Sequence, residues 1–199
     1  MKTFLHVGCG GSNKSRTTVP FAGGDWQELR LDINEAVRPD IVGTMVDMKA
    51  VASESVDAIF SAHNIEHLYP HEVPVALAEF LRVLKPDGFA VITCPDLQSV
   101  AALVAEDKLT DQAYVSPSGP IAPLDMLYGF RPQLASGNLF MAHHCGFTKK
   151  VLGHTLLSSG FMSIASLRRE AYFDLWALAS KCFLTEPAVI ELAGAHFPQ

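Results

Sequence analysis

The feature that most constrains the fold is a short apolar run near the start of the chain that ends in glycines. Residues Phe4–Val7 lead directly into Gly8–Gly11. Such a run predicts a buried strand, and the glycines allow a tight turn where a Cβ would collide with a ligand. A second apolar run, Leu31–Ile33, places Asp32 24 residues after the first glycine, where its carboxylate can accept hydrogen bonds from two ribose hydroxyls. The set predicts an α/β protein that binds an adenosine-containing cofactor.

The glycine turn favours a cofactor without phosphate groups. A nicotinamide-binding turn carries a third small residue, which allows close helix packing and brings a helix N-terminus to the pyrophosphate. Asn13 occupies that position here, and residues 14–18 lead to Pro20 and are poor helix formers. We therefore expect the first helix of the fold to be reduced or absent. S-adenosylmethionine fits such a turn better than a nicotinamide cofactor does.

A longer pattern lies between residues 57 and 96. It contains Glu66-His67-Leu68 after the predicted fourth strand and Leu84–Gly88 before the predicted fifth strand. Together with the glycine turn, it resembles the class I S-adenosylmethionine-dependent methyltransferases, in the group with an "EHL" segment and an "LKPGG"-like turn. The resemblance covers residues 4–96 well. It implies a Rossmann-like sheet, mostly parallel with a final antiparallel strand, and a methyltransferase that uses S-adenosyl-L-methionine.

The resemblance also implies a set of cofactor-binding residues. In that family, residues after strand 1 hold the methionine part of the cofactor, the acid after strand 2 holds the ribose, and an acid after strand 3 holds the adenine amino group. Two departures are His6, where an acid is usual, and Ser12, where a third glycine is usual. The first departure removes a carboxylate that commonly supports the glycine turn, which weakens the expectation for the methionine-side contacts relative to the ribose contacts. The predicted cofactor residues are Gly8, Cys9, Gly10, Asp32, Ile33, Asp47, Met48 and His63.

Residues His63–His67 also match the H-x-x-E-H pattern of a class of zinc proteases. That chemistry requires both imidazoles on one face of a continuous helix, whereas this motif follows a strand directly and Pro70 limits its extension. The sequence therefore predicts no metal ion. As part of a methyltransferase, His63 and His67 are candidate catalytic residues, since a histidine near neutral pKa can act as a general base. The alternative is that His67 only packs beneath a neighbouring segment.

Residues 109–147, rich in proline, glycine and aromatic side chains, interrupt the strand–helix alternation. Within a single methyltransferase-like domain of residues 1–199, we predict that they form an inserted lid and acceptor pocket and take no part in the cofactor site. An oligomer contact or an inert loop is the alternative. The apolar content favours a small-molecule or lipid-like acceptor. The predicted acceptor contacts are Asn64, Tyr128, His143 and His144.

The remaining elements follow from apolar patterning. The helix predicted after Asp96 is expected to bury Leu97, Val100, Ala101 and Val104. The last two strands are joined so tightly that they must be antiparallel. The predicted strands span 3–7, 28–33, 40–44, 56–61, 89–94, 161–167 and 172–179, and further helices span 72–84 and 148 to just before 160.

Composition narrows the classes of partner. A net charge of −6 with scattered Lys and Arg residues argues against nucleic acid. The four cysteines are dispersed and predict reduced thiols, and no apolar run is long enough for membrane insertion. We expect a cytoplasmic protein, for which a homo-oligomer is left open. The alternative function is a non-catalytic S-adenosylmethionine-binding sensor or interaction protein with the same fold, and a nicotinamide oxidoreductase is a distant third.

Overall fold

The computed structural model describes residues 1–198, in which helices cover both faces of a seven-stranded sheet. The strands are β1 (Lys2–Val7), β2 (Trp26–Asp32), β3 (Ile41–Val42), β4 (Val56–Ala62), β5 (Leu84–Pro95), β6 (Tyr114–Ser116), β7 (Gly119–Ile121), β8 (Ser163–Arg169) and β9 (Asp174–Ser180). The helices are α1 (Val19–Ala22), α2 (Val73–Val83), α3 (Leu97–Ala105), α4 (Pro123–Tyr128), α5 (Arg131–Ala135), α6 (Lys149–Ser158) and α7 (Glu186–His196).

The order of strands in the sheet is β3-β2-β1-β4-β5-β9-β8, and β6 pairs with β7 in a separate hairpin. Strands β1 to β5 are parallel, whereas β9 runs antiparallel to both β5 and β8. The predicted Rossmann-like sheet with a final antiparallel strand is thus confirmed. Because the chain moves outward from β1 to β3 and then returns to the other side of β1, a crevice opens between the carboxyl ends of β1 and β4.

Alternate side chains of β1 pack into two separate cores. Leu5 and Val7 face the core beneath α2 and α6. Phe4 faces the other core, which α1 and α7 cover. This alternation follows from the period of two along a strand, and it explains why every residue from Phe4 to Val7 is buried.

The region after the glycine turn has a reduced first helix, as predicted. It consists of a 3₁₀ helix over Lys14–Arg16 and the four-residue helix α1. Phe21 on α1 is completely buried and stacks on Phe4 with ring centroids 4.4 Å apart. Aromatic burial thus holds this short helix in place where helix propensity is low.

The buried stripe predicted for α3 is partly wrong. Val100 is buried, but Ala101 and Val104 are exposed and Ser99 is buried instead. Asp96 caps the helix as predicted, while Val100 packs toward the β6–β7 hairpin and α4. These tertiary contacts lie at the N-terminal turn of α3, so the rest of the helix faces outward.

Other departures concern short or unpredicted elements. Strand β3 has two residues instead of five, and β9 begins at Asp174 because Phe173 adopts a left-handed turn with φ of 56°. Helix α7 is not among the predicted elements. Within residues 1–198, no helix combines the length and apolar character needed to cross a membrane.

His196 on α7 provides a test of this packing. Its Nδ1 lies 2.7 Å from Thr18 Oγ1, and burial lowers the pKa of His196 to about 4. The unfolded chain, with a pKa of about 6.5, binds the proton more strongly, so stability present above pH 6.5 is lost as the pH falls toward 4. When the pH is lowered from 7 to 5, the unfolding free energy of the parent should fall. For His196→Asn we expect this fall to be smaller by about 2 kcal/mol.

Denaturant unfolding at both pH values measures this difference. The matched control is His154→Asn, because His154 is exposed on α6 and its replacement should leave the pH dependence as in the parent. Equal pH dependence in the His196 variant and the parent would contradict the assignment.

Candidate functional site

The glycine turn depends on a close approach between two loops. Gly8 and Gly10 have φ values of 62° and 51°, in the left-handed region that favours glycine. A Cβ on Gly8 would collide with the side-chain amide of Asn64. The Nδ2 of Asn64 donates to the carbonyl oxygens of Val7 at 3.0 Å and Ala62 at 2.9 Å. Asn64 therefore joins the ends of β1 and β4 instead of contacting the acceptor cavity described below.

Asp32 joins the end of β2 to the same turn. Its side chain is buried, with 8% of the residue exposed. Oδ2 accepts the Gly10 N–H at 2.7 Å, and Oδ1 accepts the Asn34 N–H at 2.8 Å. Each carboxylate oxygen keeps a second lone pair. The carboxylate can therefore support the turn and still accept hydrogen bonds from a bound molecule.

A carboxylate from the neighbouring strand supports the turn in place of the acid that His6 replaces. Glu28 Oε1 lies 2.6 Å from His6 Nδ1, and Glu28 Oε2 accepts the Lys14 N–H at 2.9 Å. Burial lowers the pKa of His6, with Glu28 acting in the opposite direction. The Arg30 guanidinium donates to the Gly10 carbonyl at 2.8 Å. Sequence reasoning did not identify this role of Glu28 and Arg30, because it arises from pairing between β1 and β2.

A cavity of about 760 Å³ opens above this turn at the carboxyl ends of the strands. Its size is in the range of small-molecule and cofactor sites. Six of the eight predicted cofactor residues line it: Gly8, Cys9, Gly10, Asp32, Ile33 and His63.

Asp47 and Met48 lie outside this cavity, contrary to the prediction. Asp47 Oδ2 accepts a hydrogen bond from Lys49 Nζ at 2.9 Å on the surface, and that bond lowers the pKa of Asp47. Met48 is buried in the core, with 1% of the residue exposed. Thr44 and Met45 line the cavity instead. Asp47 lies outside because the chain turns away from the cavity after Met45. This turn is closed by a hydrogen bond from the Asp47 N–H to the Thr44 carbonyl.

Segment 109–147 contains regular structure and covers the site. It includes the β6–β7 hairpin, α4, α5 and a 3₁₀ helix over Leu139–Met141. The sequence analysis expected this segment to take no part in the cofactor site. In the structure, residues before, within and after α5 line the cavity beside the glycine turn. The segment's contributions are Ser118, Phe130, Gln133, Asn138, Leu139, Phe140, Met141 and His144.

A second cavity, of about 400 Å³, lies between the β6–β7 hairpin, α4 and the 3₁₀ helix Ile65–His67. Six of its fifteen lining residues carry aromatic or imidazole rings, among them Tyr114, Phe173 and His143. The two cavities meet, since both are lined by His63, His67, Ser118, Phe130 and Met141.

Besides Asn64, two further predicted acceptor contacts lie away from the second cavity. Tyr128 is 63% exposed and lines a third cavity, of about 230 Å³, together with His143 and His144. His144 lines the 760 Å³ cavity as well and stacks on Tyr69, with ring centroids 4.1 Å apart. Only His143 of the predicted acceptor contacts lines the 400 Å³ cavity.

Glu66 is a buried acid that lines the 400 Å³ and 230 Å³ cavities. It is 1% exposed, and neither carboxylate oxygen has a hydrogen-bond partner among residues 1–198. His63 Nδ1 lies 3.4 Å from Oε1, within ion-pair distance but without hydrogen-bond geometry. Burial lowers the pKa of His63, but Glu66 outweighs this effect and the pKa is raised. Burial raises the pKa of Glu66, but the imidazoles around it outweigh burial and the pKa is lowered.

The H-x-x-E-H motif does not form the helix that a zinc protease needs. Its last three residues form the short 3₁₀ helix Ile65–His67, and His63 has a φ of 53°. The two histidines therefore do not share one face of a continuous helix, in agreement with the sequence analysis.

Comparison with known proteins supports the fold. Residues 5–92 match the family model described as a methyltransferase domain. No curated protein gives a significant match. The family-model match covers less than half of the chain, and the solved structures support the fold.

Solved structures with the same fold include three methyltransferases. A possible histamine N-methyltransferase from Thermotoga maritima aligns with a TM-score of 0.59 and 13% identity over 92% of this chain and 83% of that one. A Methanosarcina mazei S-adenosylmethionine-dependent methyltransferase aligns with a TM-score of 0.58 and 17% identity over 92% of this chain and 93% of that one. The third is the 1,6-didemethyltoxoflavin-N1-methyltransferase of Burkholderia thailandensis, with 1,6-didemethyltoxoflavin and S-adenosylhomocysteine bound. It aligns with a TM-score of 0.56 and 14% identity over 90% of this chain and 70% of that one.

Two aromatic residues of segment 109–147 test its contribution to the larger cavity. Phe140 lines that cavity and Tyr128 does not, although they are similarly exposed, at 59% and 63%. We expect Phe140→Ala to weaken binding of S-adenosylhomocysteine about fivefold, since losing about 40 Å² of apolar contact costs about 1 kcal/mol. Tyr128→Ala should leave the affinity within about threefold of the parent. Calorimetric titration measures both, and equal effects would contradict this placement of the segment.

Proposed function

We propose that this protein is an S-adenosylmethionine-dependent methyltransferase acting on a small-molecule or lipid-like acceptor. The observation that carries the proposal is the junction of two cavities, one beside the glycine turn and Asp32, the other lined by aromatic rings. Methyl transfer requires a cofactor site and an acceptor site that meet at one point. His63, His67 and Met141 are among the residues at that junction.

The residues of the larger cavity fit S-adenosylmethionine. Asp32 offers free lone pairs for ribose hydroxyls, and the positive φ values of Gly8 and Gly10 allow the backbone to approach a ligand closely. The 3₁₀ helix that follows has its Ser15 N–H already bonded to Asn13 Oδ1 at 3.0 Å. A pyrophosphate would therefore find no free helix N-terminus there, whereas S-adenosylmethionine carries no phosphate.

The protein's part in the reaction is chiefly alignment. When bound, S-adenosylmethionine supplies a methyl group on a sulfonium that is already a good leaving group. The walls of the two cavities would hold the acceptor atom in line with that methyl group and exclude water. The His63 side chain is half exposed and lines both cavities, so we propose it as the group that accepts the acceptor's proton, with His67 as the second candidate.

The acceptor cavity favours a flat apolar compound. Tyr114, Phe130 and Phe173 give its walls aromatic surface, on which a ring or an extended apolar group would pack. The imidazoles of His63 and His143 add polar contacts that would orient an oxygen or nitrogen atom of the acceptor. In the Burkholderia neighbour the compound methylated is named as 1,6-didemethyltoxoflavin, also a small molecule.

Asp32 gives the sharpest test of the cofactor site. We expect Asp32→Ala to weaken binding of S-adenosylhomocysteine at least tenfold, because each hydrogen bond to a charged group contributes about 1.5–3 kcal/mol. The matched control is Asp47→Ala, which changes an acid outside the cavity and should leave the affinity within about threefold. Isothermal titration calorimetry measures both variants, and circular dichroism verifies that each is folded.

Two outcomes would count against the proposed site. If the Asp32 and Asp47 variants lost equal affinity for S-adenosylhomocysteine, Asp47 would contact the adenine after all, as the sequence analysis predicted. Tighter binding of NADH than of S-adenosylhomocysteine by the parent protein would favour an oxidoreductase instead.

His63 tests whether the protein is an enzyme. We expect His63→Asn to bind S-adenosylhomocysteine within about threefold of the parent but to lower methyl transfer about a hundredfold or more, as removal of a general base does. Radiolabelled S-adenosylmethionine and an acceptor found by screening small molecules provide the assay. His71→Asn, at an exposed position away from both cavities, serves as the control. If no small molecule accepts the methyl group from the parent, a non-catalytic binding protein becomes the better interpretation.

A further inference from the structure

The proposed methyl transfer gives no role to the buried carboxylate of Glu66. Both of its oxygens lack a hydrogen-bond partner within residues 1–198, although the residue is only 1% exposed. An unpaired buried carboxylate is strongly unfavourable, and proteins compensate such groups with a cation or with hydrogen bonds. His63 Nδ1 lies within ion-pair distance of Oε1, at 3.4 Å, but makes no hydrogen bond to it. Both oxygens of Glu66 therefore keep lone pairs that a cation could accept.

Two imidazoles already surround Glu66. His67 follows it directly in the 3₁₀ helix, and His143 arrives from segment 109–147. Potential ligand atoms of Glu66, His67 and His143 all lie within 4.8 Å of one another. The two rings are packed edge to face, with centroids 4.7 Å apart.

Backbone carbonyls fix the orientation of both rings. His67 Nδ1 lies 3.0 Å from the Ala142 carbonyl oxygen, and His143 Nδ1 lies 2.8 Å from the Met126 carbonyl oxygen. Because a carbonyl only accepts, each Nδ1 carries the proton and each Nε2 of the neutral rings keeps its lone pair. Metal-binding histidines have the same arrangement, in which the second ring nitrogen donates to a carbonyl or carboxylate.

We propose that Glu66, His67 and His143 bind one divalent transition-metal ion. Two imidazole nitrogens and one carboxylate form a ligand set that suits Zn²⁺ or Fe²⁺, whereas Mg²⁺ and Ca²⁺ prefer oxygen ligands alone. Three protein ligands leave a coordination position open, as in catalytic metal sites. All three side chains line the 400 Å³ cavity, so a small molecule in that cavity would have access to the ion.

This site differs from the one that the sequence motif suggested. The H-x-x-E-H pattern would pair His63 with His67 on a helix, and the expectation of no metal was based on the absence of that helix. The set proposed here replaces His63 by His143, which is distant in the sequence. Backbone hydrogen bonds from His144 and Cys145 to the Glu66 carbonyl, at 2.8 and 3.2 Å, bring that part of the chain to Glu66.

Metal binding by the full chain tests the proposal directly. After removal of metals with a chelator, the protein is titrated with Zn²⁺ by calorimetry and with Co²⁺ by visible absorption spectroscopy. We expect one ion per chain and a Co²⁺ spectrum typical of four- or five-coordinate geometry. His143→Ala should weaken binding at least about a hundredfold, since even the outer partners of metal ligands are worth about tenfold to a hundredfold.

His144→Ala is the matched control, because it removes a neighbouring imidazole that stacks on Tyr69 and lies outside the proposed ligand set. It should leave the metal affinity within about threefold of the parent. Glu66→Gln provides a second variant, which keeps the shape of the side chain and should also lose the ion. The absence of stoichiometric binding by the parent would overturn the proposal, as would equal losses in the His143 and His144 variants.

The metal titrations are independent of the proposed methyltransferase function. They use no cofactor and no acceptor, and S-adenosylhomocysteine binding is measured separately on the same variants. Metal binding without cofactor binding would contradict the methyltransferase and leave this site standing. Cofactor binding without metal binding would overturn the metal site and leave the proposed methyltransferase function standing.

Discussion

The site is organised around a turn that requires glycine at its first position. Gly8 has a positive φ, and the space where its Cβ would lie is filled by the amide of Asn64. That amide donates to carbonyls at the ends of β1 and β4, while Asp32 at the end of β2 accepts the Gly10 N–H. These hydrogen bonds fix three strand ends relative to one another. The larger cavity opens directly above them, so its shape depends on the absence of a side chain at Gly8.

A second set of contacts places segment 109–147 over this frame. The Glu66 carbonyl accepts the N–H groups of His144 and Cys145, and His67 Nδ1 donates to the Ala142 carbonyl. The same short 3₁₀ helix therefore supplies side chains to both cavities and holds the covering segment in position. The helix also holds the Glu66 carboxylate in a buried position, where its electrostatic interactions with neighbouring charged groups are stronger than in water.

Much of the fold could be predicted from the sequence because its signals are local. The apolar run before Gly8, the carboxylate at Asp32 and the helix caps at Asp96 and Thr148 each depend on residues within a few positions of one another. The face that α3 buries could not be predicted in this way. Val100 packs against elements of segment 109–147, and these contacts override the apolar periodicity that favoured Ala101.

In the candidate site, too, some features follow from local sequence and others from tertiary contacts. The sequence by itself determined the strand, glycine turn and acid that line the larger cavity, since backbone freedom at glycine and the position of a residue at a strand end are properties of the local chain. Only the tertiary structure decided that Asp47 turns away from that cavity and that Glu28 supports the turn. It alone brought His143 to Glu66, 77 residues earlier in the chain. The physical reason is that these contacts arise from strand pairing and from the docking of a long segment, which no short pattern of residues encodes.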